Sequence, residues 1–335
     1  MCPQGSDSAN NTPFEHSPLP VSVDGKSYLQ GFRALPTIPS IVFGLVSLLA
    51  DPKSTDAELA EFIWKSPSLL SAAINMLNSS TAECSISADR LQQEIAQLGK
   101  NRLRILSFQT PLLSSLHPWK PGFYSAMYWE RSLLCAEACK AVAQQLRMPC
   151  PEQYYITGLL HDIGYLVLLQ KNPTGLADVF ERWSTQRGDL LEIERALLGI
   201  DHCQLGVEIA RKLKLETWII HGIAQHHHPS PDSDSFGIIT SIGSVFCNSK
   251  GIDFSPPHAL PNFNKKQELE EIISGLLPGF SNMEIGSLIK TMEDIVPGAQ
   301  SWAGKLLLET SDYRNENRSI PSAPEHLLHI TNRNI

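Results

Sequence analysis

The sequence predicts an all-α protein. Three observations carry that expectation. Apolar residues recur at helical spacing in one segment after another, those segments open on capping residues and close on Gly or Pro, and the strict alternation of a half-buried strand is scarce.

Taken in order, residues 1–31 are rich in Ser, Asn, Pro and Gly and read as a flexible leader. Order is expected from Leu35-Pro36-Thr37-Ile38-Pro39 onward. A first helix runs through Ile41, Leu45, Leu48 and Leu49 to the Asp51-Pro52 break, Thr55 with Glu58 forms a capping box for the second, and Pro67 opens a third that reaches about Asn78. Leu91, Ile95 and Leu98 mark another, stopped at Gly99. Helical patterns follow over 124–146, 152–170, 174–187, 189–198, 202–213, 216–227 and 236–248. Two or three amphipathic helices occupy 265–308, one of them opened by a Ser281 to Glu284 capping box, and 311–335 is a polar tail. The expected organisation is a leader (1–31), a main helical domain (32–250), a C-terminal helical extension (251–310) and the tail (311–335).

Composition narrows the function. A net charge of −8 with scattered basic residues leaves no footprint for nucleic acid. No apolar run reaches the length of a membrane span, and the N-terminus lacks the pattern of a secretory signal, so the expected location is the cytoplasm. The seven cysteines show no CxxC pair and predict reduced thiols. Cys135 and Cys139, four apart on a helix, read as small core residues.

The most informative segment is Gly158-Leu159-Leu160-His161-Asp162-Ile163-Gly164. Ile156, Leu159, Leu160, Ile163 and Val167 form an apolar stripe on what reads as one helix over 152–170, and His161 lies off it. An unpaired buried charge costs several kcal/mol by order of magnitude, so the imidazole and the carboxylate must find each other, a metal or another polar partner. Gly158 and Gly164 leave the surface beside His161 bare, open to another backbone or a ligand. Two further sites supply imidazoles: His202, after Asp201, and His226-His227-His228 before Pro229. Imidazole and carboxylate suit Fe, Mn, Ni or Zn, and a hydrolase would use such an ion to activate water. Plainer readings exist: Asp201 as an N-cap with Gln204 at the box position, and the histidine run as a helix end.

The ordered set of Leu35–Pro39, the helix Ser71–Ser79, Gln97-Leu98-Gly99, Trp129 to Leu133, Gly158–Gly164, Gly199–His202 with Gly206, and His226-His227 with Pro229 resembles the HDOD family, the HD-related output domain of bacterial signalling proteins. The resemblance implies a helical fold related to the HD phosphohydrolases and a regulatory role. It also implies that catalytic relatives complete the His-Asp metal set with a histidine on an earlier helix and a late aspartate. In this chain those places hold Arg131 and Ser244, both non-ligands. The expectation is therefore a polar cluster of Arg131, His161, Asp162, His202, His226, His227 and Ser244, with Arg131 paired to Asp162. The cluster is either architectural or a site for an anion such as a nucleotide phosphate. The implied function is non-catalytic signalling through protein partners, with no cofactor. The alternative is a metal-dependent phosphohydrolase of nucleotides or cyclic dinucleotides using Fe, Mn or Zn on His161, Asp162, His202, His226 and His227. Leu288, Ile289, Met292, Ile295 and Val296 on the C-terminal helices are the candidate contact surface; packing back onto the core is their other reading.

Overall fold

The structure, a computed structural model, describes residues 25–37, 39–77, 93, 100, 103, 125–186, 188–230, 232–254 and 265–307. Its helices are α1 (Gly25–Tyr28), α2 (Pro39–Ala50), α3 (Asp56–Trp64), α4 (Pro67–Leu77), α5 (Ser125–Gln145), α6 (Pro151–Leu160), α7 (Ile163–Lys171), α8 (Pro173–Gln186), α9 (Leu190–Leu198), α10 (His202–Lys212), α11 (Thr217–Gln225), α12 (Ser235–Ser249), α13 (Lys265–Leu276) and α14 (Asn282–Leu307). No β-strand occurs among the described residues, so the fold is all-α. The expected helix at Leu91, Ile95 and Leu98, and the polar tail at 311–335, lie outside the described residues.

Local signals act as the sequence indicates. Thr55 accepts the Glu58 amide at 3.2 Å while Glu58 accepts the Thr55 amide at 2.8 Å, capping α3. Ser281 and Glu284 repeat the arrangement ahead of α14. Asp201 caps α10 by accepting the Gln204 amide at 2.7 Å, and Gly199 closes α9 in the left-handed region at φ +76°.

Helix α5 is the axis of the molecule. One side of it, with Trp129, Leu133 and Ala136, joins a core built from α2 to α4 and α6 to α11; another side, with Leu134, Cys135, Ala138 and Val142, joins a second core with α12, α13 and α14. A helix apolar on several sides has to be central. Gly158 lets α6 lie against α5, since a Cβ there would come within 2.8 Å of the Cys135 carbonyl oxygen. Gly164 does the same for α7 against α10: a Cβ would collide with the His202 carbonyl. The bare surface expected beside His161 is thus filled by two backbones, and this brings three elements of the site together.

Four expectations need correction. The helix over 152–170 is two helices, broken at His161 and Asp162, because the His161 ring takes the Gly158 carbonyl at 2.7 Å through Nδ1 and competes with the amide that would continue the helix. The leader shrinks at its end: residues 25–31 are ordered around Tyr28, whose side chain is buried and whose hydroxyl donates to the Leu198 carbonyl at 3.3 Å. Leu288, Ile289 and Met292 are buried in the second core, with Ile295 and Val296 packed against it, so they are not an exposed contact surface. Cys150 is disulfide-bonded, whereas Cys135, Cys139, Cys203 and Cys247 are free thiols.

Candidate functional site

The break between α6 and α7 places His161 and Asp162 at the buried centre, with 0% and 1% of their surface exposed. Asp162 is met by Arg131 from α5, whose Nε donates to Oδ2 at 2.9 Å. The same guanidinium donates through Nη2 to Ser244 Oγ at 2.7 Å, and through Nη1 to Asn248 Oδ1 at 2.7 Å and the Ile252 carbonyl at 2.9 Å. Four of its five N–H groups are spent inside the protein. Arg131 therefore ties the loop after α12 and the α6–α7 break to the central helix. The expected pairing of Arg131 with Asp162 is present, and Ser244 is the third member.

His202 and His226 arrive from the other side. His202 is the first residue of α10; its ring Nδ1 lies 2.8 Å from Glu194 Oε2, and its amide donates to the same oxygen at 2.7 Å. Glu194 is fully buried on α9 and also accepts the Tyr165 hydroxyl at 2.6 Å. His226 follows α11 and places Nδ1 2.9 Å from the Ile223 carbonyl. Three rings, His161, His202 and His226, thus commit Nδ1 to a carbonyl or carboxylate and turn Nε2 toward Asp162, at 2.9, 3.4 and 3.5 Å from its oxygens. None of these three contacts is aligned as a hydrogen bond, and both His161 Nε2 and Asp162 Oδ1 lack hydrogen-bond partners. His227 stands half-buried beside His202 and His226. His228 is exposed and faces Asp189 at 3.1 Å.

Two participants escaped the reading of the sequence. Glu194 sits three after Leu191 and four before Leu198, on the buried stripe of α9, and an acid on such a stripe is a signal that could have been used. Cys203 places Sγ 3.5 Å from His202 Nε2 and 3.9 Å from His226 Nδ1, and its adjacency to His202 was the only cue.

Burial and charge oppose each other here. Burial pushes His161 down to about 4 against the pull of Asp162. Burial would raise the Asp162 carboxyl, but His161, His226 and Arg131 together hold it well below the usual range. Burial disfavours the charged form of His226 too, yet Cys203 and Asp162 bring it up to about 9. The site is built to hold positive charge around one carboxylate.

A cavity of about 240 Å³ reaches the cluster, with Arg131, Asp162, Tyr165, Trp183, His227 and Phe254 on its wall. A hydrolytic metal centre of the kind the resemblance implies does not fit on the Arg131 side. Asp162 Oδ2 and Ser244 Oγ both accept from the guanidinium, a permanent cation without a lone pair, where two ligands would have to stand.

A helical fold with a His-Asp pair at a helix break, later histidines converging on it and an arginine bonded to Asp162 and Ser244 defines a protein of the HD-related class. The HDOD domain family matches residues 35–229, and the chain belongs to that family. No curated protein matches the chain. Among solved structures it is similar to an HDOD domain protein of unknown function from Geobacter sulfurreducens (22% identity over 84% of this chain and 96% of that one, TM-score 0.50). It is also similar to the MmoQ response regulator from Methylococcus capsulatus (18%, 76% and 98%, 0.54) and to a virulence factor from Campylobacter jejuni (14%, 82% and 100%, 0.52). At these identities the likeness shows the fold alone. No helix among the described residues is long and apolar enough to cross a membrane.

Proposed function

We propose that this HDOD protein is a non-catalytic regulator that acts in signal transduction by contact with other proteins. One observation carries the reading: Arg131 is buried and hydrogen-bonded to both Asp162 and Ser244, so the charge that a hydrolytic ion would supply is already provided by a fixed guanidinium. The fold shared with a structure named as a response regulator supports the signalling part. Phosphate capture at Arg131 is the weaker version, because a guanidinium with a single uncommitted N–H cannot present the two-pronged fork that phosphate recognition favours. The cytoplasm is the compartment that suits such a regulator.

Turnover tests the reading. Purified protein supplied in turn with Fe²⁺, Mn²⁺ and Zn²⁺ is assayed against nucleotides, cyclic dinucleotides and generic phosphodiesters. The expected result is no product above the metal-only blank. Release of product that disappears in His161→Ala would establish a phosphohydrolase instead.

A further inference from the structure

We propose that the cavity beside the Arg131–Asp162 pair is a binding site for a small zwitterion, a molecule carrying an ammonium and a carboxylate, the chemistry shared by free amino acids and betaines. Its role as the input of a regulator rests on the function proposed above. The site itself rests on the cavity, so binding and turnover fail separately.

The wall changes character from the buried end to the mouth. At the buried end Arg131 lines the cavity and keeps one N–H uncommitted, the second on Nη2. Asn248 shares that wall. A guanidinium can only donate, so Asn248 must turn Oδ1 to Arg131 Nη1, and its two amide N–H groups are left without an acceptor among the described residues. Arg131 and Asn248 therefore offer a carboxylate one donor each.

At the mouth the sign reverses. Asp189, with its side chain 28% exposed, is held as the N-cap of α9 by accepting the Leu191 amide on Oδ1 at 2.9 Å, and its Oδ2 faces only the largely exposed His228 at 3.1 Å. Asp253 adds a second carboxylate to the wall, paired to Lys265 at 2.9 Å. The body of the ligand meets aromatic faces. Trp183 on α8 is half-buried on the wall, belongs to neither core and makes no hydrogen bond or ring contact among the described residues. A large ring left without a partner beside a carboxylate is a platform for an ammonium. Phe254, on the same wall, already carries the Arg131 guanidinium over its face at 5.3 Å.

Charge and volume then select the ligand. A phosphate would bring its charge past Asp189 and Asp253 toward Asp162 with nothing to offset the repulsion, and a simple amine would leave the donors of Arg131 and Asn248 unanswered. A zwitterion answers both ends. The volume of about 240 Å³ is roughly eight times the share of one liquid water, which suits valine or glycine betaine and is too small for a nucleotide.

The test is calorimetric titration of the full chain, with chelator present, using glycine betaine and L-valine as probes. Expected is saturable binding of at least one of them, one molecule per chain, with a Kd below about 1 mM; the tighter of the two tells a betaine from an amino acid as the source. 3,3-Dimethylbutyrate, which has the shape of betaine without its positive charge, and tetramethylammonium, which lacks the carboxylate, should each bind at least ten-fold more weakly. Asp189→Asn keeps the capping oxygen and removes the charge, so it should weaken binding at least ten-fold with the urea midpoint unchanged. Trp183→Leu should weaken it about three-fold or more. Asn248→Asp keeps an acceptor for Arg131 and removes the amide donors, and it should weaken both zwitterions while sparing tetramethylammonium; should that variant fail to fold, the Asp189 and Trp183 variants decide. The proposal is overturned by failure of both probes to bind saturably, by equal affinity for 3,3-dimethylbutyrate, by inorganic phosphate binding more tightly than either zwitterion, or by unchanged affinity in Asp189→Asn or in Trp183→Leu.

Discussion

Replacing Arg131 by methionine should be among the most damaging single changes in this protein, and the structure gives the size of the effect. Arg131 is 4% exposed and makes four donations, to Asp162, Ser244, Asn248 and the Ile252 carbonyl. Methionine fills much of the volume but donates nothing. Breaking a buried ion pair by removing one partner costs about 3–5 kcal/mol, and a buried acceptor left unsatisfied adds about 1–3 kcal/mol. These effects overlap at one site, so the expected loss is about 5 kcal/mol, a large share of the roughly 5–15 kcal/mol that holds a domain together. Asp162→Ala should cost about 3–5 kcal/mol, and the double variant less than the two singles combined, with a coupling of about 2–3 kcal/mol. Urea melts of the four proteins with chelator present supply the cycle. If Arg131→Met itself does not fold, Arg131→Lys gives a graded reading, since lysine keeps the charge and loses the fork. A cost below about 1 kcal/mol for Arg131→Met, or a coupling below about 0.5 kcal/mol, would show the pair to be solvated and the account of Arg131 mistaken.

Other expectations follow from packing and charge. Gly164→Ala forces a Cβ against the His202 carbonyl and should cost about 1–3 kcal/mol, read as a lowered urea midpoint; an unchanged midpoint would mean that α7 and α10 are not held in contact. Leu288→Glu buries a charge in the second core and should cost several kcal/mol by order of magnitude, whereas a neutral result would return the C-terminal helices to the surface. Acid should destabilise the metal-free protein. His161 is held at about 4 when folded, below its ordinary 6.5, so the unfolded chain takes up the proton first and stability falls as pH drops from 6.5 toward 4, by up to about 3 kcal/mol. Asp162, also held low, adds a loss below the ordinary carboxylate pKa. His227, also held well below 6.5 by burial and the neighbouring His226 and His202, contributes to the same window, so in His161→Gln the slope should shrink without vanishing, and a slope between pH 6.5 and 4 as steep as in the unaltered chain counts against the assignment.

Most of the fold was legible because helix signals are local. Thr55 with Glu58, Asp201 with Gln204 and Gly199 each act within one turn, and the chain spells them out. The pairing of Arg131 with Asp162 was legible as well, since a buried carboxylate needs a cation and position 131 carries a permanent one. What escaped depends on distance through space. The break in the 152–170 helix comes from the His161 ring bonding the Gly158 carbonyl, a choice that apolar periodicity does not record. Leu288 and Met292 present the same pattern whether their partner is another protein or α5 of the same chain, and the structure supplies the latter. Glu194 and Cys203 matter because α9, α10 and α11 meet.

The central claim, that Arg131 and Ser244 close the hydrolytic centre, is tested most directly by reversing both. Arg131→His/Ser244→Asp installs the histidine and the aspartate that the resemblance implies for a catalytic centre, and it should be compared with the unaltered chain under identical Mn²⁺ or Fe²⁺ loading. The measurement is metal-dependent release of product from a chromogenic phosphodiester, with the metal content of each protein determined alongside. The account predicts no turnover in the unaltered chain, and in the double variant both an additional bound ion and measurable turnover. Turnover by the unaltered chain that the double variant does not exceed would contradict it.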